Sequence, residues 1–301
     1  MNLIVIGSSK IAIEHIIVAK KVGFKIHGIY SSRKKSINAS SIQNKFKINN
    51  NFTSIDQLIR YALDENCSII IAGRIKDNEK ILKNCLKNNI KVLIEKPVFL
   101  EPHKFNSYIK HKEKIFIGYN RLFYENIKLL KKKLRSRKNI EVIVNCPEKN
   151  LPRIKTNSCH IISIIIYLFP NAKVISSTRN GNNYFIRLIS TQGYINIFYN
   201  MRSSDNFGIC IYSKKEKILL SPIESLKIFR GIKRKITKKG KVFIPKIVLN
   251  KNEYLKSLYK PGFLNQIKYF KKFINKEKIF YPNIIFAKKV MILCDKISKI
   301  I

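Results

Sequence analysis

The sequence predicts an α/β fold with two sheets. An N-terminal Rossmann domain, built on a doubly wound parallel sheet, is expected over residues 1–120. A C-terminal α/β domain with an open, mostly antiparallel sheet is expected over 121–301, its last helix able to pack back on the first domain. Three observations lead there. Short apolar runs alternate with helix-like segments through the first 120 residues, as right-handed βαβ units do. The turn Gly7-Ser8-Ser9-Lys10-Ile11-Ala12 follows the first run directly and opens a helix. Beyond about residue 121 the rhythm changes to strand-like segments joined by short turns such as Thr191-Gln192-Gly193.

The elements follow in order. Residues 3–6 and 25–30 read as strands around a helix at 10–22, and helices are expected at 37–46 and 55–65. The all-apolar run 68–72 is a buried strand, 78–88 a helix, and 91–94 a further buried strand ending in Glu95-Lys96-Pro97. A helix at about 103–112 leads to a strand at 115–118. In the second domain, helices at 125–135 and 158–169 flank a strand at 140–145. Strands at 173–177, 184–190, 194–199, 207–212 and 217–220 form an antiparallel meander, and helices at 262–275 and 283–301 close the chain.

Composition narrows the class. At 301 residues, 45% hydrophobic and 26% charged, the chain suits two globular domains rather than a fibrous or disordered one. Its longest strongly apolar run, 161–169, is far too short to span a bilayer, and no secretory signal is read at its start. Six scattered cysteines, with no CxxC pair and no histidine at ligand spacing, predict reduced thiols, no metal site and a cytoplasmic location. The formal charge of +42 admits a polyanion partner. Abundant Ile, Lys, Asn, Phe and Tyr, all with A/T-rich codons, and lysines spread along the whole chain instead favour compositional drift. Two denser basic runs, 131–138 and 230–241, read as solvated faces or hairpin tips, so no specific nucleic acid is expected.

Two segments suggest chemistry. In the first turn, Gly7 supplies the tight bend and Ala12 the close helix–sheet packing of a pyrophosphate-binding fingerprint, while Ser9 replaces its middle glycine. The Ser9 Cβ impedes close backbone approach, and its hydroxyl offers a donor in return. The second strand ends Tyr30-Ser31-Ser32-Arg33 without an acidic residue for a ribose hydroxyl. Ser32 and Arg33 suit a 2′-phosphate, hence NADP over NAD, although an incidental polar loop has the same look. At the other segment, Lys96 ends a buried strand in a turn fixed by Pro97. An ammonium there is either a solvated strand end or a catalytic acid or base.

Together these pieces resemble the glucose-fructose oxidoreductase/inositol dehydrogenase (Gfo/Idh/MocA) family. In family order come Ile6 to Ala12 with His15, Tyr30-Ser31-Ser32-Arg33, Val92 to Pro97, Ile117-Gly118-Tyr119-Asn120-Arg121, and Ser158-Cys159-His160-Ile161-Ile162-Ser163 running into Tyr167-Leu168-Phe169. The resemblance implies NADP or NAD as cofactor. It also implies hydride transfer to or from a sugar, nucleotide-sugar or related polyol, with a role in surface polysaccharide synthesis and homo-oligomerisation through the second sheet. By resemblance, Lys96 contacts the reacting hydroxyl and the nicotinamide ribose, Glu95 fixes its loop, and His160 transfers the proton. Cofactor contacts are expected at Gly7, Ser8, Ser9, Lys10, Ile11, Ala12, Ser32, Arg33, Ala72, Gly73, Glu95 and Lys96, and substrate contacts at Asn120, Arg153, Asn157 and Ser163. With Lys155, Arg153 would suit an acidic or phosphorylated substrate. The pattern departs from the family at Ser9, at Ser163 where an Asp is common, and at Asn78 where a His is usual. The segment from Asn145 to His160 is also short. A non-catalytic cofactor-binding or regulatory subunit and a polyanion-binding protein are the alternative readings.

Overall fold

The computed structural model describes residues 1–31, 36–237, 239–253 and 258–301. The chain divides into two compact units, Met1–Phe123 with Leu258–Ile292, and Tyr124–Ser257 with Leu293–Ile301. The sequence reading divided the chain at 120 and allowed the last helix to pack back on the first domain; here the first break falls at 123 and 258–292 groups with the first unit.

In the first unit, β1 (Asn2–Ile6), α1 (Lys10–Lys21), β2 (Lys25–Tyr30), α2 (Ile37–Phe46), β3 (Asn50–Phe52), α3 (Ile55–Asp64), β4 (Cys67–Ile71), α4 (Ile75–Lys87) and β5 (Val92–Glu95) follow in order. A 3₁₀ stretch, Pro102–Lys114, then leads to β6 (Ile115–Gly118). The strands form one sheet in the order β3-β2-β1-β4-β5-β6, every neighbour parallel. This is the dinucleotide-binding order, whose reversal between β1 and β4 opens a crevice at the carboxyl ends of the strands. Leu3, Ile4, Val5, Ile69, Ile70, Ile71, Val92, Leu93 and Ile94 are fully buried, which accounts for the unbroken apolar runs.

Two local expectations change here. β3 is an extra strand of three residues, Asn-Asn-Phe, too short and polar to signal itself in the sequence. The helix expected at 103–112 is 3₁₀, with a kink at His111. The unit is completed by α8 (Phe263–Ile274) and by α9 (Ile284–Ile300) as far as Ile292. Phe270 of α8 lies 5.7 Å from Phe116 of β6 and 6.4 Å from Phe24, ring centre to ring centre, and the Ile117 amide donates to Pro282 at 2.7 Å.

The second unit holds α5 (Glu125–Leu134), β7 (Ile140–Glu148), α6 (Arg153–Thr156), α7 (Cys159–Leu168), β8 (Lys173–Asn180), β9 (Asn183–Ser190), β10 (Gly193–Met201), β11 (Gly208–Tyr212), β12 (Lys217–Leu220), β13 (Ser225–Thr237) and β14 (Gly240–Asn252). Their sheet runs β14-β13-β12-β11-β7-β10-β9-β8. It is mostly antiparallel, as expected, but it is not a plain meander: β7 lies in the middle and pairs in parallel with β10. No strands were expected over β13 and β14, although the basic run 230–241 was read as a solvated face or hairpin tip. The outer half of this hairpin is exposed, with Ile232, Ile236 and Phe243 in solvent beside the lysines, so it lacks the in–out alternation of a half-buried strand. The basic run 230–241 lies in this hairpin.

α7 is strongly apolar and mostly buried, and Ser158 at its start meets Cys146 of β7. One face of the sheet is open. Phe185 stacks on Phe198 across β9–β10 at 4.8 Å, and Ile143, Ile189, Tyr194 and Tyr212 are exposed.

Candidate active site

The β1–α1 turn sits at the sheet reversal. Gly7 has φ +125°, and a Cβ there would come within 2.4 Å of the Ala72 carbonyl oxygen, so only glycine lets this turn pass the end of β4. The Gly7 amide donates to Tyr30 at 2.8 Å and the Ala72 amide to Ile6 at 2.7 Å, joining three strand ends. Ser9 is the N-cap of α1, its hydroxyl accepting from the Ala12 amide at 3.4 Å. That bond uses a lone pair and leaves the O–H able to donate outward. The first turn of α1 has no acidic residue and its last turn carries Lys20 and Lys21, so the helix presents an anion-attracting end.

A cleft of ≈ 250 Å³ opens beside this turn. Of the expected cofactor residues, Gly7, Ser8, Ser9, Ala72 and Gly73 line it. Ala12 does not: it is fully buried behind the turn as packing, and neither Lys10 nor Ile11 is in the lining. Ser32 and Arg33 lie outside the described residues. Sequence reasoning missed Ser31, Ser36, Asn38, Arg74 and Asp77. Ser36 caps α2 through the Ala39 amide and its hydroxyl lies 3.5 Å from that of Ser8, while Arg74 pairs with Asp77 at 2.9 Å. The N-cap Ser-x-x-Ala pattern of residues 36–39 was the available signal. This lining of hydroxyls, a helix amino end and a neutralised acid fits the anionic pyrophosphate of a dinucleotide.

The Glu95-Lys96-Pro97 turn leaves β5 at the same edge of the sheet and is tied down on three sides. Glu95 Oε1 accepts from Nε2 of the fully buried His15 at 2.7 Å, and the His15 ring lies 5.0 Å from that of Phe263. Gly118 faces Glu95 across β5–β6, and a Cβ there would come within 2.7 Å of Oε1. Buried Asn78 donates through Nδ2 to the carbonyls of Val98 at 3.1 Å and Pro97 at 3.4 Å. Asn78, a departure from the family pattern in the sequence, is therefore a working anchor of this turn. The Lys96–Pro97 peptide is cis. Gly118→Ala is expected to displace the Glu95 carboxylate from His15 and to cost about 1–3 kcal/mol, the usual range for overpacking. Thermal unfolding measures this, and an unchanged midpoint would refute it.

Asn120, expected to contact substrate, has a partner within its own unit. It is buried and its amide donates to Pro261 at 3.1 Å, a structural bond at the approach to α8.

In the second unit His160 occupies the first turn of α7, partly exposed. Three residues expected to contact substrate have partners within the unit. Ser163 is fully buried and donates to the His160 carbonyl at 2.7 Å, closing the helix turn beneath it. Asn157 Nδ2 donates to both carboxylate oxygens of Glu148, at 3.1 and 3.2 Å, and Arg153 Nε lies 3.4 Å from the same carboxylate. Lys155 pairs with Asp295 at 2.5 Å; hydrogen bonds from Lys155 and Lys299 hold that carboxyl below its ordinary range. The two cations suggested for an acidic substrate thus have acidic partners within their own unit. Sequence reasoning missed Glu148, which lies in the same stretch as its partners but carries no motif. Among the described residues no group of His, Cys, Asp and Glu could hold a metal.

A parallel sheet in dinucleotide-binding order, with an anion-suited turn at its reversal, defines an NAD-binding Rossmann protein that carries a second, mostly antiparallel sheet. Residues 1–115 match the model of the Gfo/Idh/MocA oxidoreductase family with its NAD-binding Rossmann fold. The whole fold is shared with solved structures. A dehydrogenase from Clostridium difficile is 17% identical, covering 100% of this chain and 99% of its own, with TM-score 0.78. UDP-N-acetylglucosamine 3-dehydrogenase from Acidithiobacillus ferrooxidans is 12% identical over 99% and 97%, with TM-score 0.74. A myo-inositol dehydrogenase from Corynebacterium glutamicum is 14% identical over 98% and 94%, with TM-score 0.68. No curated protein matches the sequence.

Proposed function

We propose that this protein is an NAD(P)-dependent oxidoreductase that moves a hydride to or from a CH–OH carbon of a sugar, nucleotide-sugar or related polyol, with NADP preferred. The observation that carries the proposal is the Glu95-Lys96-Pro97 turn, held by His15, Gly118 and Asn78 at the same sheet edge as the serine-lined cleft. A solvated strand end needs no such anchoring. The family match over residues 1–115 supports the cofactor class, and the dehydrogenases of sugars and cyclitols among the structural neighbours support the substrate class. Support for NADP is the absence of any acidic residue in the segment after β2, which runs Ser31-Ser32-Arg33.

The amino end of α1 and the Ser8 and Ser9 hydroxyls would hold the pyrophosphate, and Gly73 and Ala72 would leave room beside it. The bound nicotinamide supplies a hydride acceptor or donor. Lys96, as a cation, stabilises the alkoxide that develops on the substrate, or polarises the carbonyl in the reverse direction. His160, through its imidazole, takes the hydroxyl proton during oxidation and returns it during reduction. Six cysteines without a disulfide among the described residues, five of them buried, support a reducing cytoplasmic setting. The open apolar face around Phe185 and Phe198 supports homo-oligomerisation through the second sheet. A role in surface polysaccharide synthesis follows if nucleotide-sugars are the substrates.

Fluorescence titration with NADPH and NADH, followed by turnover on hexoses, cyclitols and UDP-sugars, tests the reading. NADPH is expected to bind more tightly than NADH and to support turnover. Binding without turnover on the panel would favour a non-catalytic relative, and no binding of either nucleotide would overturn the proposal.

A further inference from the structure

Glu148 is the last residue of the central strand β7, and its side chain is only 1% exposed. A carboxylate so deeply buried is costly unless several donors meet it. Here they do. Asn157 Nδ2 reaches both oxygens, the Ser158 hydroxyl donates to Oε1, and Arg153 Nε faces Oε2. The main-chain carbonyl of Glu148 is fixed as well, accepting from the Arg202 amide at 2.7 Å.

These donors all lie on the short path from β7 into α7. The Asn157 carbonyl accepts from the His160 amide at 3.0 Å, and the Ser158 carbonyl from the Ile162 amide at 2.9 Å. The two residues gripped by the carboxylate therefore form the first hydrogen-bonded turn of the helix that bears His160. A negative charge at that amino end also suits the helix dipole. Beneath Ser158 lie Cys146, whose thiol is 3.4 Å from the hydroxyl, and Tyr199, whose phenol burial pushes up and keeps neutral.

We propose that Glu148 is a positioning residue for His160: through Asn157 and Ser158 it sets where the imidazole stands at the start of α7. This rests on His160 as the proton-transfer group. It adds a residue outside every motif the family resemblance supplied, and a single buried carboxylate ties together the shortened segment from Asn145 to His160.

The test uses Glu148→Gln, which keeps size but opposes an amide donor to the donors of Asn157 and Ser158. Misplacement of a reacting group by about 1 Å costs on the order of 10²-fold in rate, and a loss of that order in kcat is expected, with KM for the cofactor unchanged. Glu148→Asp, retaining the charge, should recover part of the loss. In a His160→Ala background, Glu148→Gln should add less than about twofold, because residues acting as one unit are not additive. A full multiplicative loss in that background, or wild-type kcat in Glu148→Gln alone, would overturn the proposal. If Glu148→Gln does not fold, Asn157→Ala and Ser158→Ala each remove one arm of the same clamp and carry the same expectations.

NMR separates this inference from the oxidoreductase reading. Of the five histidines, only the His160 imidazole signals should move in Glu148→Gln, whether or not any substrate is turned over. Unmoved His160 signals would refute the positioning role even in an active enzyme.

Discussion

Lys96→Met is expected to lower kcat for hydride transfer by about 10³-fold, near 4 kcal/mol of transition-state stabilisation. The substituted side chain has a similar length and apolar stem, so the fold should be unaffected and the thermal midpoint unchanged. The loss should fall on kcat, because the ammonium matters most when charge builds on the substrate oxygen. Lys96→Arg should not rescue it: a planar guanidinium does not reproduce a compact point charge. The effect depends on the turn as much as on the amine, since His15, Gly118 and Asn78 hold the backbone on either side of Lys96. Steady-state kinetics on the best substrate decides the matter. Full activity in Lys96→Met would remove the residue from the mechanism.

Gly7→Ala should have the second large effect, and through binding rather than chemistry. The residue sits at φ +125°, where an L side chain is strained, and its new Cβ would meet the Ala72 carbonyl at 2.4 Å. Relief requires the turn to lift from β4, which breaks the Gly7–Tyr30 and Ala72–Ile6 hydrogen bonds. A destabilisation of about 3 kcal/mol is expected, from overpacking together with an incompatible backbone angle. Loss of measurable NADPH binding should accompany it, because the pyrophosphate turn and the strained position coincide. Gly73→Ala is the matched comparison for stability. Its added Cβ would have Ile6 at 4.0 Å as its nearest contact, so its unfolding midpoint should stay near that of the wild type. Equal midpoints for the two variants would contradict this account of the turn.

The sequence displays the first sheet clearly because its strands are buried on both faces, and a run such as Ile69-Ile70-Ile71 has no other stable place in a globular chain. The Lys96 turn was legible for the same reason: charges ending such a run must emerge at a sheet edge. Of the hairpin β13–β14 only the basic tip was legible; its long strands were not, because they are held by main-chain pairing while their outer side chains stand in solvent. The polar side chains near His160 are harder to read. Arg153, Asn157 and Ser163 were placed correctly along the chain near His160, but their partners are Glu148 and the helix's own backbone. A polar residue near a reactive histidine can face substrate or hold the scaffold, and sequence spacing is the same in both cases. Asn78 shows the converse, an apparent gap in the family pattern that still provides the bonds its position requires.

The return of residues 258–292 to the first unit bears on how the protein is made. α8 supplies Phe270 to the aromatic cluster of β6 and Phe24, and Pro282 accepts the amide of Ile117. The nucleotide-binding domain is therefore unfinished when residue 123 leaves the ribosome. Its sheet must wait, with the β6 side uncovered, until a further 134 residues forming most of the second unit have been synthesised. At about 5–20 residues per second that delay is on the order of 10 s, long enough for a nascent chain to need protection. A gene fragment cut at residue 120 should accordingly yield aggregate rather than a free cofactor-binding domain.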